Sequence, residues 1–420
     1  MTVDLEKAEL VREDLIEEEE FLQHQLDKDA GFSINVYSSE DLQHLFDSKG
    51  VSYPMTEKGN PSFRQDWLSS NKAKVAQQVD SIRKLRKCRT TFIENGILEK
   101  HNMGRVHPSF HPLRGENGGA VSGRFSSSSP NAQQIPSRDK ILAPLIRGLY
   151  IPEKGYDSWL KLDLSQIEYR LFAHYSQDDH LIKTYEDPNT DYHQVVSEML
   201  GNAMPRPIVK NFNFMSIYGG GKKKTIAMVK ANMPKEDIKR LCTQFGITQT
   251  AQALGTFFVD MYAKKFPAAK LTMDRVSKAT QESGEVRTIL NRRNVFNLWE
   301  PANEFGHIPL EYEEAINKYG HNVKRALTYR ALNRKLQGSA ADLLKKGMVD
   351  AYEGGLFNNI GVPSVTVHDE LDFSYHEDLR NDALQIKRCI ENAIPLKVPV
   401  IMDAETGPDW GHVADYDLGT

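Results

Sequence analysis

Apolar residues recur at helical intervals along the first thirty positions: Leu5, Leu10, Leu15, Phe21 and Leu22 interrupt an otherwise acidic and polar stretch that Gly31 closes. That spacing predicts one long amphipathic helix over about residues 4–28. A second helix is expected from Ser39 to Phe46, with Ser39 as its cap and Gly50 as its stop. A polar stretch from Tyr53 to Pro61 then leads to further helices over about 64–95, so the first hundred residues form a helical lobe. From Gly104 the texture changes to short extended pieces and turns, ending in the serine-rich SGRFSSSSPNAQQIP at 122–136.

Ser158 to Asp163 alternates Trp159, Lys161 and Asp163 with Leu160 and Leu162, the pattern of a half-buried strand. The following SQIEYRLFAHYS opens with a serine and continues at helical spacing, which puts Asp163 at a strand-to-helix junction. From Asp191 to about Val276 the chain is helical again, broken by Pro205, Pro207 and the glycines at 219–221. Residues 330–352 make another amphipathic helix, and SVTVHDELDFSY at 364–375 reads as two short strands joined at His368, Asp369 and Glu370. The fold class is therefore α+β, with two mainly helical lobes and an antiparallel sheet.

A chain of 420 residues exceeds one ordinary core, so several lobes around a shared cleft are expected. No apolar run approaches the roughly 18 residues of a membrane span, and the acidic N-terminus has no secretory character, so a cytoplasmic setting without membrane is expected. Three scattered cysteines exclude a disulfide framework and a cysteine zinc cluster. Charge is segregated: residues 4–20 hold nine acids against Lys7 and Arg12, and 72–89 hold seven bases, including Arg83, Lys84, Arg86 and Lys87, against Asp80. Such a basic run is either a solvated helix face or a set of phosphate contacts along a duplex.

Single aspartates usually cap helices or face solvent, but Asp163 at a strand end and Asp369 in a hairpin turn are a pair. Strand ends of one sheet bring carboxylates within reach of a shared pair of hard cations, the device of two-metal phosphoryl chemistry. Between them, in RPIVKNFNFMSIYGG, Arg206, Lys210, Phe214 and Tyr218 recur every four residues along one helical stripe. Cations at a helix N-terminus oppose the dipole, and a bound triphosphate resolves that conflict; a chance stripe on a packing helix is the alternative. GGGKKKT at 219–225 lacks the Ser or Thr of a Walker loop, so its glycines are taken as a helix stop.

These segments resemble family A DNA polymerases. DLSQIEYR at 163–170 is similar to their motif A, VHDEL at 367–371 to motif C, and Arg206, Lys210, Phe214, Tyr218 and Gly219 complete motif B. The resemblance implies a right-hand polymerase fold with two Mg²⁺ ions held by Asp163, Asp369 and the carbonyl of Leu164, with Glu370 and Lys210 beside them. It implies nucleotide contacts from Arg206, Lys210, Phe214, Tyr218, Gln166, Glu168 and His193, the last in DYHQ at 191–194. Glu168 and Tyr218 would close the pocket to a ribose 2′-hydroxyl. Arg124 would lie near a primer terminus and His368 on the DNA, while Asn333 and Gln337 in ALNRKLQGSAAD would contact the minor groove. GEVRTILNRRNVF at 284–296 resembles another family segment in which Asn291 replaces a glycine, and Tyr329 stands where an arginine is usual, with Arg330 one place late.

The implied organisation is an N-terminal helix at 1–27, thumb at 28–103, palm at 104–185 and 276–420, and fingers at 186–275. With so few residues before the thumb, no nuclease domain is expected in this sequence. Expected partners are primer-template DNA, deoxynucleotides and a separate exonuclease or replication proteins, with the chain a monomer. Rival readings are a single-subunit RNA polymerase, disfavoured by Glu168 and the HDE of motif C, and a catalytically idle DNA-binding relative, disfavoured by the intact Asp163 and Asp369.

Overall fold

The computed structural model describes residues 1–56, 58–113, 119–187, 190–200, 202, 204, 206–217, 220–303 and 307–419, without the side chains of Met199 and Pro207. Helix α1 (Leu5–Ala30) starts where the Asp4 carboxylate accepts from Lys7 N, and stops at Gly31, whose φ of +88° suits a residue without Cβ. The expected boundary at 27/28 thus falls inside an unbroken helix. Strand pairing of Thr2–Val3 with Tyr150–Ile151 pins its start to the middle of the chain. Its body packs against α2 (Lys74–Lys87) and a wide π-type helical segment, Cys88–Leu98. Leu26, Leu42, Phe46, Leu68, Val79 and Ile82 fill the core of this lobe.

Much of the basic run is engaged inside this lobe, by main-chain carbonyls, by an acid of its own helix and by acids of α1. Arg83 donates to the carbonyls of Val36 and Phe63, each at 2.7 Å. Lys84 pairs with Asp80 at 2.7 Å, and Arg86 and Arg89 both clamp Glu19, a buried residue of α1. A carboxylate taken out of water needs such partners, which accounts for this cluster without nucleic acid. Lys87 stays exposed.

The central sheet has five antiparallel strands: β1 (Ser158–Leu164), β2 (Val365–Val367), β3 (Glu370–Tyr375), β4 (Met402–Gly407) and β5 (Ala414–Asp415), in the order β2-β3-β1-β4-β5. β1 is half-buried as expected, with its leucine face covered and Lys161 and Asp163 on the other face only part-buried. On one face Leu160, Leu162, Leu371, Phe373 and Met402 join the main core with helices α3 (Ile167–Ser176) and, later in the chain, Ala331–Glu353. On the other, residues facing the same way change along β1 from the fully buried Trp159 through Lys161 to Asp163.

The second helical lobe contains α4 (Tyr192–Met199), α5 (Arg206–Ile217) and further helices up to Pro267–Ser283, which runs unbroken across the expected boundary at 275/276. α6 (Ala331–Glu353) carries Gly347 against Ile390, where a Cβ would lie 2.8 Å from a side-chain carbon, so the C-terminal helix Arg380–Glu391 approaches closely only because glycine stands there. Asn291, the residue in place of a glycine, has φ +66°, a conformation that asparagine tolerates better than other side chains.

Trp159 stacks on Trp410 with ring centres 5.9 Å apart, and the Arg147 guanidinium lies 4.3 Å above the Trp410 ring. Trp410→Ala is expected to cost about 3–5 kcal/mol in denaturant unfolding; a loss below about 1 kcal/mol contradicts this packing account.

Candidate active site

Antiparallel register builds the site. Asp163 lies directly opposite Glu370 on β3 and Asp403 on β4, and Lys161 lies opposite Asp372 and Glu405. Residues paired in this way share a face, so two adjacent rows of charge cross the sheet at the end where β1 turns into α3. The Lys161 ammonium is 2.8 Å from Glu405 Oε2 and 3.7 Å from Glu370 Oε2. Burial, then the charges of Glu370, Asp369 and Asp403, push the Asp163 carboxyl up to about 7 despite Lys161. Asp372 is wholly buried, and burial beside Glu370 holds it far above the usual carboxylate range.

The hairpin between β2 and β3 turns through His368, whose φ is +59°, and Asp369, whose carbonyl accepts from Leu164 N at 3.1 Å. This bond ties the two aspartates through main chain. Glu370 is not part of the turn, as expected from sequence, but the first residue of β3. Nor does Ser165 cap α3. Gln166 enters the helix from a left-handed conformation, φ +50°, and the fully buried Arg170 donates back to the Ser165 carbonyl at 2.9 Å.

Arg124 bridges the two motifs, its Nη2 lying 2.7 Å from Asp369 Oδ2 and 2.8 Å from Glu168 Oε1. Its loop is held by Arg292, which donates to the Ser122 and Gly338 carbonyls and pairs with Asp342 at 2.9 Å. Gly123 lets that guanidinium pass, since a Cβ there would lie 2.4 Å from it. Burial, then the Asp369 charge, raises Glu168 to about 7 against the opposing pull of Arg124.

Helix α5 starts at Arg206, as Pro207 in its first turn requires. Arg206 pairs with Asp191 at 2.6 Å, so that cation is engaged, whereas Lys210 is exposed on the cavity wall. Phe214 packs on the Tyr169 ring at 5.0 Å. Tyr218 and Gly219 lie outside the described residues. His193 is buried, with Nδ1 3.0 Å from Asn213 Nδ2, so it is packed into the wall and not held out toward solvent. Gln166, expected on the nucleotide, uses its amide on Tyr192 N and the Thr190 carbonyl, docking the second lobe onto the sheet.

A cavity of about 410 Å³ gathers Asp163, Leu164, Gln166, Glu168, His193, Lys210, Phe214, His368, Asp369 and Glu370. Asn333 and Gln337, part-exposed one turn apart on α6, lie outside it, as do Arg206 and the bases of α2. Asp369 Oδ1 and Glu370 Oε1 are buried with no hydrogen-bond partner among the described residues. A carboxylate oxygen without a donor, Asp369 Oδ1, in a cluster of mutually repelling acids fits a hard divalent cation. Among the described residues no group of three or more His, Cys, Asp or Glu is already assembled around one point. Lys161, Arg147, Asp372, Asp403 and Arg292 were not singled out as site residues; the alternation of MDAETG at 402–407 is the signal that would have exposed Asp403.

In overall course the chain is similar to the solved POL domain of Pol1 from M. smegmatis in complex with DNA primer-template and dNTP, with a TM-score of 0.76 at 24% identity over 98% of this chain and 67% of that one. The fold is the polymerase right hand. The sequence profile of DNA polymerase family A matches residues 5–412, and the chain belongs to that family. It is 29% identical over 418 residues to DNA polymerase DpoZ of Salmonella phage PMBT28, covering 93% of this chain and 63% of the relative. Identity to DNA polymerase I of Caldicellulosiruptor bescii is 28% over 407 residues, covering 93% and 42%. The chain thus spans less than two thirds of these curated relatives' lengths. No described helix is long and apolar enough to cross a membrane.

Burial, then the charges of Lys210 and Arg206, lowers His193 from 6.5 to about 4 against the pull of Asp191. Between those values the unfolded chain binds the proton that the folded chain refuses, so stability is complete above about 6.5 and is lost as pH falls toward 4. His193→Gln is expected to flatten that acid loss in urea unfolding at pH 7 and pH 4.5. Parallel losses in both proteins contradict it.

Proposed function

We propose that the chain is a template-directed DNA polymerase: a primer 3′-hydroxyl attacks the α-phosphorus of a deoxynucleoside triphosphate, and pyrophosphate leaves. The observation that carries this is the strand register that places Asp163 beside Glu370 and next to Asp369, facing the exposed Lys210 across one cavity. A carboxylate floor under a cationic helix suits a triphosphate, whose charge needs partners on both sides.

Asp163, Asp369 and the Leu164 carbonyl are the groups to hold two Mg²⁺ ions, with Glu370 as an accessory carboxylate anchored by Lys161. Bound there, the ions lower the pKa of the attacking hydroxyl and neutralise charge at the transferring phosphorus. Lys210 holds the phosphates and stands ready to protonate the leaving pyrophosphate. Arg206 joins it by exchanging Asp191 for phosphate. Phe214 lies beside the sugar, His193 backs the wall near the phosphates, and Gln166 acts by fixing the α4 lobe over the site. Glu168 and Tyr218 close the pocket to a ribose 2′-hydroxyl.

Arg124, His368, Asn333 and Gln337 meet the primer end and the minor groove, whose acceptors are alike in all correct pairs. Lys87 is the cation of α2 best placed for the duplex backbone, since Arg83, Lys84 and Arg86 are already paired. The chain works as a monomer in a bacterial or phage-infected cytoplasm, with a separate exonuclease or replication proteins as further partners.

Asp163→Asn and Asp369→Asn are expected to slow single-nucleotide primer extension at least about a thousandfold, the loss of roughly 4 kcal/mol of transition-state stabilisation, while primer-template affinity stays within about threefold. Extension within tenfold of wild type removes the metal-ligand assignment.

A further inference from the structure

One nitrogen of Arg124 serves two carboxylates. Nη2 is within hydrogen-bond distance of both Asp369 Oδ2 and Glu168 Oε1, so one cation joins the hairpin turn to the first turn of α3. The arrangement is under-satisfied on every member. Arg124 Nε, Asp369 Oδ1 and Glu168 Oε2 are all buried and have no partner among the described residues. An arginine that belonged permanently between two carboxylates would use its fork, with two nitrogens on two oxygens. Here a single nitrogen is shared and the fork is left open. The backbone is nevertheless fixed, because Arg292 holds the Ser122 carbonyl on one side of Gly123 and Lys345 donates to the Gly123 carbonyl at 2.6 Å. With the loop main chain anchored in this way, the Arg124 side chain is what links it to Asp369 and Glu168.

Electrostatics gives that side chain a task. Asp369 has Glu370 next to it in sequence, and Asp163 lies opposite Glu370 while its neighbour Leu164 donates to the Asp369 carbonyl, so with no cation bound this corner gathers several acids. Lys161 answers Glu370 and Glu405, and Arg147 approaches Glu370 at 3.9 Å. Among the described residues the cation paired with Asp369 is Arg124.

We propose that Arg124 is the resident counter-ion of the cation-free site, competing with a divalent cation for Asp369 and giving up that carboxylate when the cation binds. The inference rests on Asp369 being a cation ligand. Exchange of one positive group for another keeps the pocket compensated in both states, and it frees the guanidinium for a new acceptor only after the cation has arrived. Cation binding and the next contact of Arg124 are then linked: each strengthens the other by the same factor.

The test measures Mn²⁺ binding by electron paramagnetic resonance of the free ion, on the full chain without DNA or nucleotide. Arg124→Leu removes the competitor and is expected to bind Mn²⁺ on the order of tenfold more tightly than wild type, the weight of one charge-assisted hydrogen bond. Arg124→Lys keeps a charge without the arginine's reach and is expected to fall between the two. It also decides the matter if the leucine variant does not fold by circular dichroism. Affinity equal to or weaker than wild type in the folded arginine variants overturns the exchange. Asp369→Asn is expected to lose Mn²⁺ binding, and if it binds as wild type does, the ligand reading beneath the proposal falls instead.

Discussion

Like-charge repulsion among carboxylates at one end of the central sheet is the constraint to which the rest of the molecule answers. Once β1 is the middle strand and pairs in this register, Asp163 cannot avoid Glu370 on one side and Asp403 on the other. Burial strengthens the repulsion, because a low dielectric screens charges poorly. The cations around the site are placed where that repulsion is largest. Lys161 sits one row back on the same face, Arg147 reaches Glu370 from the loop side, and Arg124 comes from a separate segment to meet Asp369. Asp372, wholly buried beside Glu370, is held far above the usual carboxylate range by burial and by that neighbouring charge.

A cluster of this kind stands only on rigid support, and the opposite face of the same strands supplies it. Leu160, Leu162, Leu371, Phe373 and Met402 lock the sheet onto α3 and α6, whose small residues Gly338, Ser339, Ala340 and Ala341 allow close packing. The Arg292 interactions with Asp342 and the Gly338 and Ser122 carbonyls then carry the position of α6 forward to the Arg124 loop. Gln166 does the same for the second lobe, reaching from the end of β1 to the start of α4. Precision at the site thus comes from side chains such as Gln166 and Arg292 that bond to main-chain groups around it, consistent with the need to hold reacting groups within fractions of an ångström.

Period-two alternation and the hairpin were legible in the sequence, and with them the meeting of Asp163 and Asp369, because side-chain direction on a strand follows from position alone. Helix α5 and the tolerance of Pro207 at its start were legible for a similar local reason. The partners of charges were not. The basic run at 72–89 can pass for a solvated face in sequence, and only the packing of α1 against α2 and the Cys88–Leu98 segment turns Glu19, Arg86 and Arg89 into one cluster. Gln166 and Arg206 carry chemistry suited to a nucleotide yet are engaged by Tyr192 and Asp191 in this state, which no local pattern announces. Asp403 was missed because the alternation of MDAETG is short and runs into Gly407 and Pro408, and its weight shows only in the register with β1.

The most direct measurement of the central claim compares the unfolding free energy of wild type and Asp163→Asn in chelator at pH 4.5 and pH 8. A carboxyl raised to about 7 in the fold and near 3.8 when unfolded destabilises the folded chain progressively as pH rises through that interval, while asparagine is indifferent to it. The account expects Asp163→Asn to be more stable than wild type at pH 8, with that advantage shrinking at pH 4.5. An asparagine variant that is no more stable than wild type at pH 8, or whose difference from wild type is the same at both values, contradicts it.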